Sequence, residues 1–214
     1  AKSLGLDFYA MNSVTDEFKI SGFIDANGHY QESEFYRAFT NGGVFFLDEM
    51  DASAPEVLVC LNMAIADRYY TFPTGRVDAN PNFRVVAAGN TIGTGATSLY
   101  TGRMQLDAAT LNRFAVVFVD YDEAIELNEA DNDRELVAFI HKFRGQVKKG
   151  GLNATASYRN ISMLRIMSQF ASKEDALSAC LLKDMNQDDI NMVASGVGSS
   201  TEWGKALSNC KAMA

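Results

Sequence analysis

Two kinds of hydrophobic pattern follow one another along the chain. In the first half, short apolar runs end abruptly in polar groups. Val44-Phe45-Phe46-Leu47, preceded by Gly42-Gly43, runs into Asp48-Glu49-Met50-Asp51. Phe83 to Ala88 runs into Gly89-Asn90, and Phe114-Ala115-Val116-Val117-Phe118-Val119 into Asp120. The unbroken first run predicts a strand buried on both faces, as in a parallel α/β sheet; Phe83–Gly89 predicts a second apolar strand and Phe114–Val119 a third buried one. Leu6–Met11 and Tyr69–Phe72 predict shorter strands, the latter closed by the Pro73-Thr74-Gly75 turn. Glu32–Thr40, with Phe35, Ala38 and Phe39 at helical spacing, predicts a helix with acids in its first turn. Ser53 is placed to cap a second helix over Pro55–Asp67, with Leu58, Leu61, Met63 and Ala64 inward. Leu106–Asn112 predicts a short helix, and Asn12–Gly28 and Thr91–Gly102 read as mostly loop.

From Asp120 onward the helical period takes over. Leu136, Val137, Ile140, Phe143 and Val147 stripe one helix; Ile161, Leu164, Met167 and Phe170 stripe another. Further helices are expected over Lys173–Leu182, Gln187–Ala194 and Thr201–Met213, with Ser195–Ser200 as a flexible linker. The composition shift predicts two parts, 1–120 and 121–214, with the boundary near Tyr121. At its start, Ala1-Lys2-Ser3-Leu4-Gly5 reads as the last turn of a helix ended by glycine, which suggests a fragment or processed product.

Composition narrows the functions. The net charge of −8 argues against a surface built broadly for nucleic acid. No apolar stretch reaches the length of a membrane span and no secretory signal is present, so a cytoplasmic protein is expected. Cys60, Cys180 and Cys210 are widely spaced without a CxxC pair, which fits free thiols rather than a metal site. Asp25-Ala26-Asn27-Gly28 resembles the start of a calcium loop, but its glycine falls too early for an EF-hand.

The chemistry concentrates where the first apolar run ends. Ligands of parallel sheets bind beyond the carboxyl ends of the strands. Neighbouring residues leaving a strand point in different directions, so Asp48 and Glu49 can do different jobs. One can hold Mg²⁺ while the other orients a water for attack on a phosphate, which is what a Walker B motif does. An acidic strand exit without chemistry is the other reading of this stretch taken alone.

Three strand ends in order sharpen the choice. Asp48-Glu49, then Ala87-Ala88-Gly89-Asn90-Thr91, then the run from Gly102-Arg103 through Leu111-Asn112-Arg113-Phe114 resemble an AAA+ ATPase of the MoxR and dynein/midasin-related branch over roughly residues 1–170. The resemblance implies an AAA+ P-loop NTPase core, a parallel sheet flanked by helices, followed by an all-helical lid over 121–214. It implies ATP and Mg²⁺ as ligands, with Asp48 on the metal, Glu49 activating water and Asn90 as the sensor 1 residue. Arg113 matches an arginine finger that reaches a neighbouring subunit's nucleotide, and Arg103 is a weaker candidate for that interface. Arg159, at the start of a lid helix, resembles sensor 2. Each polar group also has a plainer alternative: a turn cap for Asn90, a surface ion pair for Arg113, a solvated side chain for Arg159.

One element of the pattern is missing. No GxxxxGK[ST] occurs; Gly198 to Ala206 has the wrong glycine spacing and Ala206 where a hydroxyl belongs. The expectation is therefore a core lacking its first strand and P-loop, binding ATP poorly by itself. By the resemblance, the intact protein would be a homo-oligomeric, hexameric remodelling ring, with a VWA-domain protein among its partners by family analogy. The rival from another class is a non-catalytic subunit that keeps the fold and the assembly surface. A phosphoryl-transfer enzyme of another kind would need a substrate-binding loop that is not found.

Overall fold

The computed structural model describes residues 1–212. They form two compact units, Ala1–Val117 and the chain from Phe118 onward. The first unit runs through β1 (Phe8–Met11), α1 (Phe18–Ser21), β2 (Phe23–Ile24), β3 (Tyr30–Gln31), α2 (Glu34–Asn41) and β4 (Gly43–Leu47). It continues with α3 (Pro55–Val59), α4 (Leu61–Ala66), β5 (Tyr69–Phe72), β6 (Gly75–Asp78), β7 (Phe83–Ala87) and α5 (Ala108–Leu111). The second holds only helices among the described residues: α6 (Glu123–Glu129), α7 (Arg134–Gly150), α8 (Tyr158–Met167), α9 (Lys173–Cys180), α10 (Gln187–Val197) and α11 (Glu202–Asn209).

The sheet of the first unit has the order β1-β4-β7, and all its pairings are parallel. Register aligns Tyr9 with Phe45 and Phe45 with Val85, so one face carries Tyr9, Phe45 and Val85 while the other carries Phe8, Val44 and Arg84. The first face is covered by α2, α3 and α4 and holds the core: Phe35, Phe39, Phe45, Leu47, Leu58, Leu61 and Phe83. Phe35 lies at its centre, edge-on to Phe45 at 5.2 Å and to Phe83 at 5.8 Å. Ser33 caps α2 by accepting from Tyr36 N at 2.9 Å. The glycine before β4 is required by space: a Cβ on Gly43, at φ 131°, would meet Asp7 O and the Tyr9 ring at 2.8 Å.

Several expectations need correction. Within β4 the expected burial on both faces holds, with Val44, Phe45 and Leu47 buried and Phe46 half-buried, but it does not extend to the neighbouring strands: Phe8 of β1 is 58% and Val86 of β7 47% exposed on the uncovered face. Phe114–Val119 forms no strand and joins no sheet, with Val117 79% and Val119 92% exposed. Periodicity measures what a segment could bury, not whether a sheet edge is there to pair with it. Ser53 does not cap α3, whose N-cap is Ala54; its hydroxyl accepts instead from Val14 N at 3.0 Å, tying the loop after β1 to the loop after β4. Met63 is exposed, and Pro55–Asp67 breaks into two helices at Cys60.

The helical unit has its own core of Leu136, Ile140, Phe143, Ile161, Leu164, Leu177, Ile190 and Trp203. Helix α6, absent from the sequence expectation, delivers buried Glu126 to His141 Nε2 at 2.5 Å and to Arg144. Arg144 also stacks over the Tyr121 ring at 3.5 Å. Phe170 is 85% exposed beyond the end of α8, not part of its buried stripe. Helix α10 runs on to Val197, through half of the expected linker. Met213, the expected end of the last helix, lies outside the described residues, and α11 stops at Asn209.

Candidate active site

Because β4 and β7 are parallel neighbours with Leu47 beside Ala87, their carboxyl ends emerge side by side. Asp48 N still donates to Met11 O at 2.8 Å, which fixes the exit of β4 against β1. The half-buried Asp48 carboxylate turns one oxygen, Oδ1, back onto Glu49 N at 2.9 Å. Glu49 sits at φ 51°, ψ 42°, a left-handed conformation that costs a non-glycine residue about 1 kcal/mol. That turn sends its side chain outward, 49% exposed, while Met50 and Asp51 dive inward.

Asp51 joins the two strand ends. Its side chain is 2% exposed, and Oδ2 accepts from Asn90 N at 3.1 Å, Thr91 N at 2.7 Å and Thr91 Oγ1 at 2.9 Å. Met50 N donates to Ala88 O at 2.8 Å in the same joint. A Cβ on Gly89 would approach the Asp51 carboxyl to 3.0 Å, so the small residue lets the loops close up. A buried carboxylate needs charge or donors around it, and Arg103 supplies the charge. Its Nε lies 3.6 Å from Asp51 Oδ2, and its Nη2 lies 3.2 Å from Glu49 Oε1.

The structure thus brings Asp48, Glu49 and the Asn90 loop together. It adds Asp51, Thr91 and Arg103, none of which the motifs had assigned to this site. Asp51 was visible as the last acid of the Asp48-Glu49-Met50-Asp51 stretch, but nothing in the sequence marks it as buried. Arg103 is not exposed for a neighbour: its side chain is 11% exposed and turned onto its own chain. Asn90 carries an exposed side chain. Arg113 follows α5, exposed, with Nε 3.3 Å from Asn62 O and Nη1 bonded to Ala109 O. Arg159 belongs to the helical unit, exposed in the first turn of α8, where Ser157 N donates to Asn160 Oδ1 at 2.8 Å.

The carboxylates can be tested against a hard cation. No group of three or more His, Cys, Asp or Glu among the described residues forms a protein cage for a metal. Mg²⁺, however, is commonly held by one or two carboxylates together with phosphate oxygens and water. Asp48, with Oδ1 on a backbone amide, fits that single-carboxylate role.

The sequence comparison decides the family. The model of the AAA domain, dynein-related subfamily, matches residues 6–114. The chain belongs to that family. The AAA domain match spans both strand ends and includes Asp48, Glu49, Asn90, Arg103 and Arg113, while Arg159 lies outside it. An ATPase type of function in general goes with this membership, and members commonly form oligomers. Among curated relatives, an uncharacterized protein of Staphylococcus epidermidis is 33% identical over 135 residues, 56% of this chain and 48% of its own length. One from Staphylococcus saprophyticus is 28% identical over 167 residues, 71% of this chain and 60% of its own. The chain therefore spans about half the length of the curated relatives it matches. Among solved structures, NtrX from Brucella abortus is similar with a TM-score of 0.47 at 14% identity, over 79% of this chain and 42% of that one. No helix among the described residues is long and apolar enough to cross a membrane.

Proposed function

We propose that the intact protein is an ATP-hydrolysing AAA+ remodelling motor that works as a homo-oligomeric ring, a hexamer by family analogy, on a protein client. The observation that carries this reading is the Asp51 joint, which ties the acidic end of β4 to the Asn90 loop after β7. A site that must sense a phosphate and activate a water needs those two ends held in one frame.

In this reading Asp48 holds Mg²⁺, which supplies neutralisation of charge on the phosphate oxygens. Glu49 accepts a hydrogen bond from the attacking water through its half-exposed carboxylate. Asn90 offers its exposed amide to the γ-phosphate or to that water. Arg113 extends its guanidinium to the nucleotide of a neighbouring subunit, where a permanent, forked cation stabilises the transition state. Arg159 acts as sensor 2, with 121–214 as the helical lid subdomain of the 1–120 core. A VWA-domain protein is the partner that family analogy suggests, and three free thiols fit a cytoplasmic setting.

The phosphate cradle would come from sequence outside these 214 residues, since none of them forms GxxxxGK[ST]. Two features support an additional strand and helix: the outer edge of β7 pairs with nothing among the described residues, and the sheet face bearing Phe8 and Val86 is uncovered. The test compares ATP binding and turnover by this chain with a version extended upstream to its native start. Only the extended form should turn over, and there Glu49→Gln should keep binding and lose about 100-fold or more in kcat. A silent extended form, still lacking a P-loop, would favour the rival: a non-catalytic subunit whose Arg113 serves a neighbour's ATP.

A further inference from the structure

Two carboxylates share one guanidinium beside the strand ends, and their burial is unequal. Asp51 is 2% exposed and fully engaged on Oδ2 by the Asn90-Thr91 loop, so it is a fixed post. Glu49 is 49% exposed and reaches Arg103 through Oε1 only. The backbone beside Arg103 is pinned as well: Met104 N donates to Asp51 O at 2.7 Å, and Leu106 N to Gly93 O at 3.0 Å. The Tyr100 ring lies 6.0 Å from the guanidinium carbon. Arg103 thus turns Nε toward Asp51 and Nη2 toward Glu49 from a backbone fixed on its C-terminal side.

We infer that Arg103 is a positioning residue for Glu49: anchored on Asp51, it fixes Oε1 and leaves Oε2 to a water. A planar fork can hold two carboxylates in set directions; a single ammonium cannot. Without it, a half-exposed glutamate on a left-handed turn would sample several rotamers, and few would meet a water in line with a phosphate. This rests on the reading of Glu49 as the residue that orients water. It differs from an arginine finger because Arg103 acts within its own chain.

The test has two readouts. In the 214-residue chain, NMR relaxation of the Glu49 side chain should show an ordered group that becomes mobile in both Arg103→Gln and Arg103→Lys. The Lys variant keeps a cation beside Asp51 and should leave the unfolding midpoint unchanged. In the upstream-extended protein, Arg103→Lys should lower kcat about tenfold with KM within about twofold, and should have no further effect on top of Glu49→Gln. Unchanged Glu49 order in both variants overturns the inference, whether or not the protein hydrolyses ATP. Normal kcat in Arg103→Lys beside an inactive Glu49→Gln also overturns it while the ATPase reading stands. If the extended wild type is silent, that reading fails, and the relaxation result alone decides the role of Arg103.

Discussion

Tyr30 shows how one residue can tie chemistry to fold. Its hydroxyl donates to Ser21 O at 2.6 Å, and its ring packs edge-on against Tyr36 at 5.0 Å, so it closes the small β2–β3 hairpin onto α1 and α2. Burial, with Tyr36 and Glu32 nearby, pushes its phenol up to about 12 from an ordinary 10.0. Tyr70, in the aromatic core, is pushed up mainly by burial as well. A phenol that resists ionisation in the folded state favours folding fully below its unfolded value and progressively less above it. Stability should therefore hold up to about pH 10 and fall as pH approaches 12. Urea unfolding across that window should show the decline, and Tyr30→Phe should flatten part of it. A slope that is unchanged in Tyr30→Phe would show that this phenol ionises equally in both states.

Among the elements, those whose pattern matched a partner close in sequence were legible. Phe35, Ala38 and Phe39 gave α2, and Leu136 to Val147 gave α7, because a helix buries its stripe on whatever neighbour the chain supplies. The same logic failed for β6, which needs only the turn after β5, and for α6, whose one fully buried side chain is charged Glu126. At the site, Asp48 and Glu49 were readable because a strand end fixes their place. Asp51 and Arg103 were not, since their meeting depends on the long stretch of chain between them, two helices and three strands, folding back through the Met104–Asp51 backbone bond. The Phe114–Val119 segment is the sharpest mismatch: strand-like in composition, yet exposed and unpaired. It should therefore be open to proteases. Brief chymotrypsin treatment should cut first after Phe118, leaving two resistant fragments, since both units have separate cores. First cuts inside β4 or α7 would contradict this.

At the scale of the molecule, the first unit leaves both outer strands, β1 and β7, each with an edge unpaired among the described residues, and one largely apolar sheet face uncovered. Parallel sheets ordinarily have both faces covered, and an open edge is a template for another strand. Phe8, at 58% exposure, stacks on Phe46 at 5.9 Å on that face, with Val86 in register beside Phe46. Water contact over such a patch is unfavourable by roughly 25 cal/mol per Å² of apolar surface that could be buried. The 214-residue chain should therefore self-associate through the β7 edge across the micromolar range, seen as a concentration-dependent sedimentation coefficient. Val86→Lys puts a charge where a second sheet would stack and should shift the equilibrium toward monomer without lowering the unfolding midpoint. Extension upstream should have the same effect if the added residues supply the missing strand, and should also protect Phe118 from chymotrypsin. A chain that stays monomeric at every concentration would mean that this edge is already satisfied in solution, and the argument for an inserted strand would lose its main support.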